Sequence, residues 1–391
     1  MKVKFKKCTI KAISVLLIIS VYLILYIGQV YNMSIQNVNM RAVIIIILSI
    51  FVIINIFIYL HRLMYNKLIQ AFALYLTVVL IEVILHKPTS FSSIVNEVYF
   101  PIIYFSSYFA LYRVVDNKSR DLVIKHYLLL LAVFEGMFFY ATLILKRKNG
   151  LYINSCYYTS LLLPFVLVNK NDKIRLLGII LCVIPALLTG KRGAFLAIMI
   201  GWIVYLLAKR RLENYRINFS RLIKWIIGLL FVSGTVLYVA NKFDSSLFDR
   251  LLNLFVDGGS GRVGLSQTMI AKLAQNNLRA HLIGHGTYTS SAIIGLSAHN
   301  DFLEMYWSYG LLGFIPYILI YQRLFRCAHI LKQYQANEYP TFLASIIIFL
   351  MCSIYSQMIF VPSYSGLICI FWAFCSSVSI GLNQPDIIGL I

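Results

Sequence analysis

The chain has 391 residues, 60% of them hydrophobic and only 13% charged, with a mean hydropathy of +0.80. That composition excludes a soluble globular fold and reads as an all-α polytopic membrane protein. The formal charge of +21 is not by itself a nucleic-acid signal here, because Lys and Arg collect in the short cytoplasmic loops of such proteins.

About 20 consecutive apolar residues cross the hydrocarbon core of a bilayer. Stretches of that kind predict about twelve helices, at 11–31, 41–60, 67–86, 96–114, 123–145, 151–169, 173–189, 192–208, 221–241, 299–323, 340–360 and 363–382, in a single transmembrane domain covering 1–391. The first follows MKVKFKK. Its apolar run exceeds that of a signal peptide and no small-x-small cleavage site follows it, so an uncleaved helix is expected. With the N-terminus inside, alternation puts most of the 35 Lys and Arg at inner ends and both termini in the cytoplasm. Three basic groups then stand outside: Lys146-Arg147-Lys148, Lys191-Arg192, and a set that includes Arg262, Lys272 and Arg279. The last set lies in 242–298, the long extracytoplasmic loop between helices 9 and 10. The seven cysteines lack metal-ligand spacing and read as small hydrophobes. No metal or cofactor is expected.

Glu82 and Glu97 fall toward the outer ends of their spans and Glu135 lies in mid-span. Such acids mark either a functional site or a protonated or hydrogen-bonded packing position. In LLTGKRGAFLAIMIGW, residues 187–202, an Arg drawn to the helix centre would cost about 2.5–3.5 kcal/mol, which places Arg192 at the outer lip. After DGGSGR, residues 257–262, the positions Met269, Ile270, Leu273, Leu278 and Leu282 recur at helical spacing. They predict one amphipathic helix near the outer membrane surface. Lys272 and Arg279, seven residues apart, would share a face, with Arg262 at the helix start. These cations either snorkel to lipid headgroups or form a phosphate-binding surface.

LSAHNDFLEMYWSYG, residues 296–310, opens the next apolar span. Asp301 and Glu304 fit a helix N-terminal capping pattern, and Asn300 is an equally good cap. Capping does not account for His299. Gly310 and Gly313 read as positions for close helix packing.

LTGKRGAFL, the SGR of DGGSGRVGL, LIGHGTY and AHNDFLEMYWSYGLLG occur in an order that resembles the motifs of the O-antigen ligase and Wzy-type polysaccharide polymerase superfamily. The resemblance is concentrated between residues 187 and 313. It implies a GT-C-like, metal-independent membrane glycosyltransferase at the outer face of the bacterial cytoplasmic membrane, with no nucleic acid as a partner. A polymerase member moves a growing glycan from undecaprenyl pyrophosphate to the terminal sugar of an incoming lipid-linked repeat unit. A ligase of the same superfamily would use another acceptor; from another class, a flippase or transporter of lipid-linked sugars would show repeated halves, and none is evident. The resemblance also implies a chain-length regulator and a repeat-unit flippase as partners.

Carried over, the motif residues are Arg192, Arg262 and His299. Lys191 stands where many members have Ser. A pyrophosphate leaving group gathers charge that positioned guanidiniums can stabilise, which suits Arg192 and Arg262. An attacking hydroxyl must lose its proton, and an imidazole with a pKa near 6.5 suits His299 as base or as orienting residue. Lys191, Arg279, Asn300, Lys272 and Arg147 are candidates for binding the substrate.

Overall fold

The computed structural model describes residues 7–30, 38–63, 66–86, 91–112, 114, 117–141, 156–189, 191–213, 262–287, 289–295 and 297–383. Every regular element among them is a helix. In chain order these are α1 Lys7–Val30, α2 Val38–Leu63, α3 Lys67–His86, α4 Phe91–Leu111, α5 Asn117–Phe139, α6 Cys156–Leu167, α7 Asp172–Leu188 and α8 Arg192–Glu213. Then follow α9 Arg262–Leu273, α10 Leu278–Ile283, α11 Thr289–Ile294, α12 Asp301–Gln333, α13 Tyr339–Tyr355 and α14 Pro362–Asn383.

Among the described residues, 7 helices are long and apolar enough to cross a membrane: α1, α2, α3, α4, α5, α8 and α12. The chain is therefore an α-helical polytopic membrane protein. Apolar helical stretches in α6, α13 and α14 are shorter. Within the predicted span 151–169, α6 covers the 12 residues Cys156–Leu167; Val168 and Asn169 are not helical, and 151–155 lie outside the described residues. The predicted span 221–241 and the Lys146-Arg147-Lys148 cluster also lie outside them. In the other direction, α12 runs on to Gln333, past the predicted end at 323. Its amphipathic tail YQRLFRCAHILKQ keeps good helix formers after the hydropathy has fallen.

The chain divides into two compact units. The first contains residues 1–123, 264–334 and 353–391. Its centre is α4, which has the lowest hydropathy of the first four spans and yet is the most deeply buried of them. The two facts belong together: a helix enclosed by other helices need not be apolar toward lipid. Ser106 and Ser107 are fully buried, and the ring of Tyr104 stacks on Phe72 of α3 at 3.8 Å. By contrast α2 is the least buried of the four and turns Ile47, Ile50, Ile54 and Phe57 outward, as a lipid-facing helix does. Pro101 interrupts α4 and takes away the N–H that would meet the carbonyl of Glu97. The packing partners of α4 are α1, α2, α3 and α14, and α12 lies along α3.

The second unit contains residues 124–263 and 335–352. All of α6 is buried, as expected of a helix apolar on every side, and it packs on α7 and α8. The ring of Tyr127 stacks on Phe165 at 4.0 Å, and Gly178 lets α7 come against Val166. Glu135 is buried, and neither of its oxygens is hydrogen-bonded. In α8, Gly201 meets α13 so closely that a Cβ there would stand 2.2 Å from Ile348 Cγ1.

That contact gives a test of the second unit. Gly201→Ala is expected to cost about 1–3 kcal/mol through overpacking, read as a lower midpoint of thermal unfolding in detergent. Combined with Ile348→Ala, which removes the opposing atoms, the loss should be smaller than the two single losses added together.

Candidate functional site

α12 follows the segment that carries α9, α10 and α11, and its first turn is held by three side chains with three different jobs. Asn300 is the N-cap: its Oδ1 accepts from the backbone N–H of Phe302 at 3.0 Å and of Leu303 at 3.2 Å. Asp301 and Glu304, expected to serve the same cap, do not. Asp301 is fully buried and accepts from the N–H groups of Met358 at 2.8 Å and Ile359 at 3.3 Å, in the turn between α13 and α14. The carbonyl of Ile359 in turn accepts from Tyr99 of α4 at 2.8 Å. Glu304, 1% exposed, accepts from the hydroxyl of Ser290 at 2.8 Å and from the N–H of Ala298. One carboxylate thus fixes the far turn and the other fixes the loop just before His299.

His299 itself has φ of 49°, the left-handed region that a residue with a Cβ rarely adopts. Such a conformation costs of order 1–3 kcal/mol and persists only where the surroundings hold it. Here they do, through Glu304 on the N–H of Ala298 and the Asn300 cap on the other side. The side chain is half-buried.

Nine residues into α12 the helix breaks. Gly310 has φ 56° and ψ −154°, a region essentially closed to other residues. The break frees the carbonyls of Trp307 and Ser308, whose helical donors would lie beyond it, and a freed carbonyl in an apolar setting needs a new donor. The GHG of LIGHGTY supplies two. The N–H of His285 donates to Trp307 O at 2.9 Å and that of Gly286 to Ser308 O at 3.0 Å. Gly284, at φ 75° and ψ −163°, comes so near that a Cβ would lie 2.3 Å from Ser308 O, while a Cβ on Gly310 would lie 2.5 Å from Leu282 O. Gly310 is thus a breakpoint, where the sequence pointed to a packing position. Gly313 does not take its close contact from another helix; a Cβ there would meet Tyr309 of the turn before.

Side chains tie the same loop down. The His285 ring stacks on Trp307 at 4.2 Å, with Nε2 2.9 Å from Asn276 Oδ1. Partial burial, and then the neighbouring charge of His86, push the His285 pKa down, so the ring is neutral at pH 7. The hydroxyls of Thr287 and Tyr309 lie 2.9 Å apart, Trp307 Nε1 donates to Thr289 at 3.0 Å, and His281 Nδ1 lies 2.9 Å from the Tyr306 hydroxyl. The carbonyl of Gly286 accepts from Thr289 at 2.8 Å.

The single amphipathic helix expected in this loop is two helices. α9 ends at Leu273, and α10 begins afresh with Asn277 as its cap, Oδ1 accepting from Ala280 N at 2.9 Å. Lys272 and Arg279 are both exposed, but they lie on different helices and do not share a face. Nor do the apolar positions form one surface: Met269 and Leu273 pack on Ala298 and Trp307, whereas Ile270, Leu278 and Leu282 are exposed.

His299, Asn300, Lys272 and Arg279 belong to the first unit. Lys191 and Arg192 belong to the second, as does Arg262. Arg192 is the first residue of α8 and Arg262 the first of α9; the side chains of both lie outside the description, and Arg147 lies outside the described residues altogether. Lys191 is half-buried, and its N–H donates to Ala186 O at 3.2 Å. Among the described residues no three His, Cys, Asp or Glu are grouped to hold a metal ion. His86, at the end of α3, is not among the residues the sequence singles out, and Gly286 rests against its ring. The Glu82-to-His86 spacing of four residues was the available signal. No family model and no curated protein matches this chain.

Gly284→Ala and Gly310→Ala each force a side chain into a glycine-only conformation and against backbone. Each is expected to lose at least about 2 kcal/mol of stability, measured by thermal unfolding in detergent. The matched control Gly295→Ala, also at positive φ but with open space around its Cβ, should lose less.

Proposed function

We propose that the protein is a polysaccharide polymerase. It transfers a growing capsule, exopolysaccharide or O-antigen-like glycan from undecaprenyl pyrophosphate to the terminal sugar of an incoming lipid-linked repeat unit. The observation that carries this reading is His299, a non-glycine held at positive φ by Glu304 on one flank and Asn300 on the other. Conformational strain stored in a chemically capable side chain at a re-entry point is a mark of function more than of packing. The ordered motifs from LTGKRG to AHNDFLEMYWSYG support the same reading.

In this reading the fold is GT-C-like with about twelve spans and both termini cytoplasmic, and the reaction takes place at the outer face of the bacterial cytoplasmic membrane. His299 orients or deprotonates the acceptor hydroxyl. Arg192 and Arg262 stabilise the pyrophosphate as the glycosidic bond breaks, an interaction stronger in the transition state than before it. Each arginine is the first residue of its helix, the end at which the helix dipole favours an anion. Lys191, Lys272, Arg279, Asn300 and Arg147 attract and orient the lipid-linked donor and acceptor. A repeat-unit flippase supplies substrate and a chain-length regulator is the natural partner.

His299→Ala and Arg192→Ala, made separately and checked for membrane expression in the bacterial host, are each expected to reduce long polymer at least about 10²-fold. Single-repeat material should accumulate in its place. Long glycan at normal levels in both variants would overturn the assigned site.

A further inference from the structure

The His86 end of α3 holds a group of polar side chains that packing does not require. Nδ1 of His86 stands 2.6 Å from Glu82 Oε2, with the Glu82 side chain 2% exposed and the imidazole 26% exposed. The contact has ion-pair distance without hydrogen-bond alignment, and the imidazole also meets the main chain of Glu82 one turn before it. Glu97 of α4, also buried, brings a second negative charge to bear on Glu82 and is itself hydrogen-bonded by Thr287. From the loop side, the charge of Arg279 acts on His86, and His86 and His285 are electrostatic neighbours. Gly286 lies against the ring, a Cβ there being 3.1 Å from His86 Cγ. All of these residues belong to the first unit.

Two buried carboxylates and a half-buried imidazole are a poor way to join helices, since well-packed apolar residues hold better. Ionisable groups within membrane spans are placed for proton exchange or ligand contact. The arrangement matches the logic of an activated base: a buried carboxylate beside one imidazole nitrogen, on a ring that is itself 26% exposed. We propose that Glu82 and His86 form such a dyad, in which His86 Nε2 takes the proton of the acceptor sugar's hydroxyl and Glu82 is the positioning residue behind it. The proposal rests on the glycan-transfer reading and leaves His299 the part of orienting that hydroxyl.

In the step, the hydroxyl proton passes to His86 Nε2 while the hydroxyl oxygen bonds to the anomeric carbon of the donor. The bond from that carbon to the pyrophosphate oxygen breaks, and its electron pair leaves with the lipid pyrophosphate. The imidazolium so formed sits against the Glu82 carboxylate and then returns its proton to water. Glu97, fastened by Thr287, keeps the loop over the dyad.

The test uses purified full-length protein in detergent with lipid-pyrophosphate-linked repeat units, and follows elongation rate against pH. His86→Gln is expected to slow elongation about 10²- to 10⁴-fold and to remove the acid limb of the profile, while Glu82→Gln moves that limb. A histidine that merely pins the loop would lower stability and leave the limb in place. Wild-type elongation with an unchanged rate and profile in His86→Gln overturns the dyad alone; no elongation by the wild type overturns the glycan-transfer reading and the dyad with it. Carbethoxylation of His86, mapped by mass spectrometry, needs neither turnover nor a folded variant of His86. Reaction in the native wild type, with a pH dependence altered by Glu82→Gln, supports the dyad, and a His86 that stays unmodified until the protein unfolds overturns it.

Discussion

The geometry around the candidate site depends on one backbone requirement: the carbonyls of Trp307 and Ser308, freed where Gly310 breaks α12, must find donors. In water a broken helix can leave its carbonyls to solvent, but Trp307 and Ser308 are buried, and a buried unpaired carbonyl is expensive. The N–H groups of His285 and Gly286 meet that requirement. Only glycines at 284 and 310 let the two backbones approach closely enough. Docking the GHG turn there brings His285 onto Trp307 and Gly286 onto His86. It also sets the path of the chain toward His299.

The carboxylates then lock what the break allows. Asp301 joins the start of α12 to the turn between α13 and α14, a turn that Tyr99 also holds from α4. Glu304 gathers Ser290 and the N–H of Ala298. Both are acceptor-only when ionised, and each serves donors that would otherwise be buried without partners, so their value lies in fixing position. What they fix is a short segment that presents a half-buried histidine under strain, next to a helix start. A preorganised segment of this kind meets the positional demands of group transfer, where small displacements are costly.

How far these features were legible in the sequence follows from the distance between partners. The Asn300 cap was legible because its donors are two and three residues away, and the seven long apolar helices were legible because hydropathy is local. Asp301 was not, since its donors stand 57 and 58 residues on, and its spacing to Glu304 imitated a capping box. The helical period of α12 runs straight through Gly310, so the pattern gave no sign that the helix breaks there. In the loop, apolar spacing hid the Asn277 cap that divides α9 from α10. Glu82 and Glu97 were seen as single acids toward span ends; that they face one cluster is a product of α3, α4 and the loop meeting in three dimensions.

The proposed glycan transfer is tested most directly by a measurement that needs no cell and no sealed compartment. Purified protein in detergent would be given lipid-pyrophosphate-linked repeat units, and the products would be resolved by length. A ladder of elongated, lipid-linked glycans with release of lipid pyrophosphate is the result this account requires. Repeat units that remain single with active, folded protein present would contradict it.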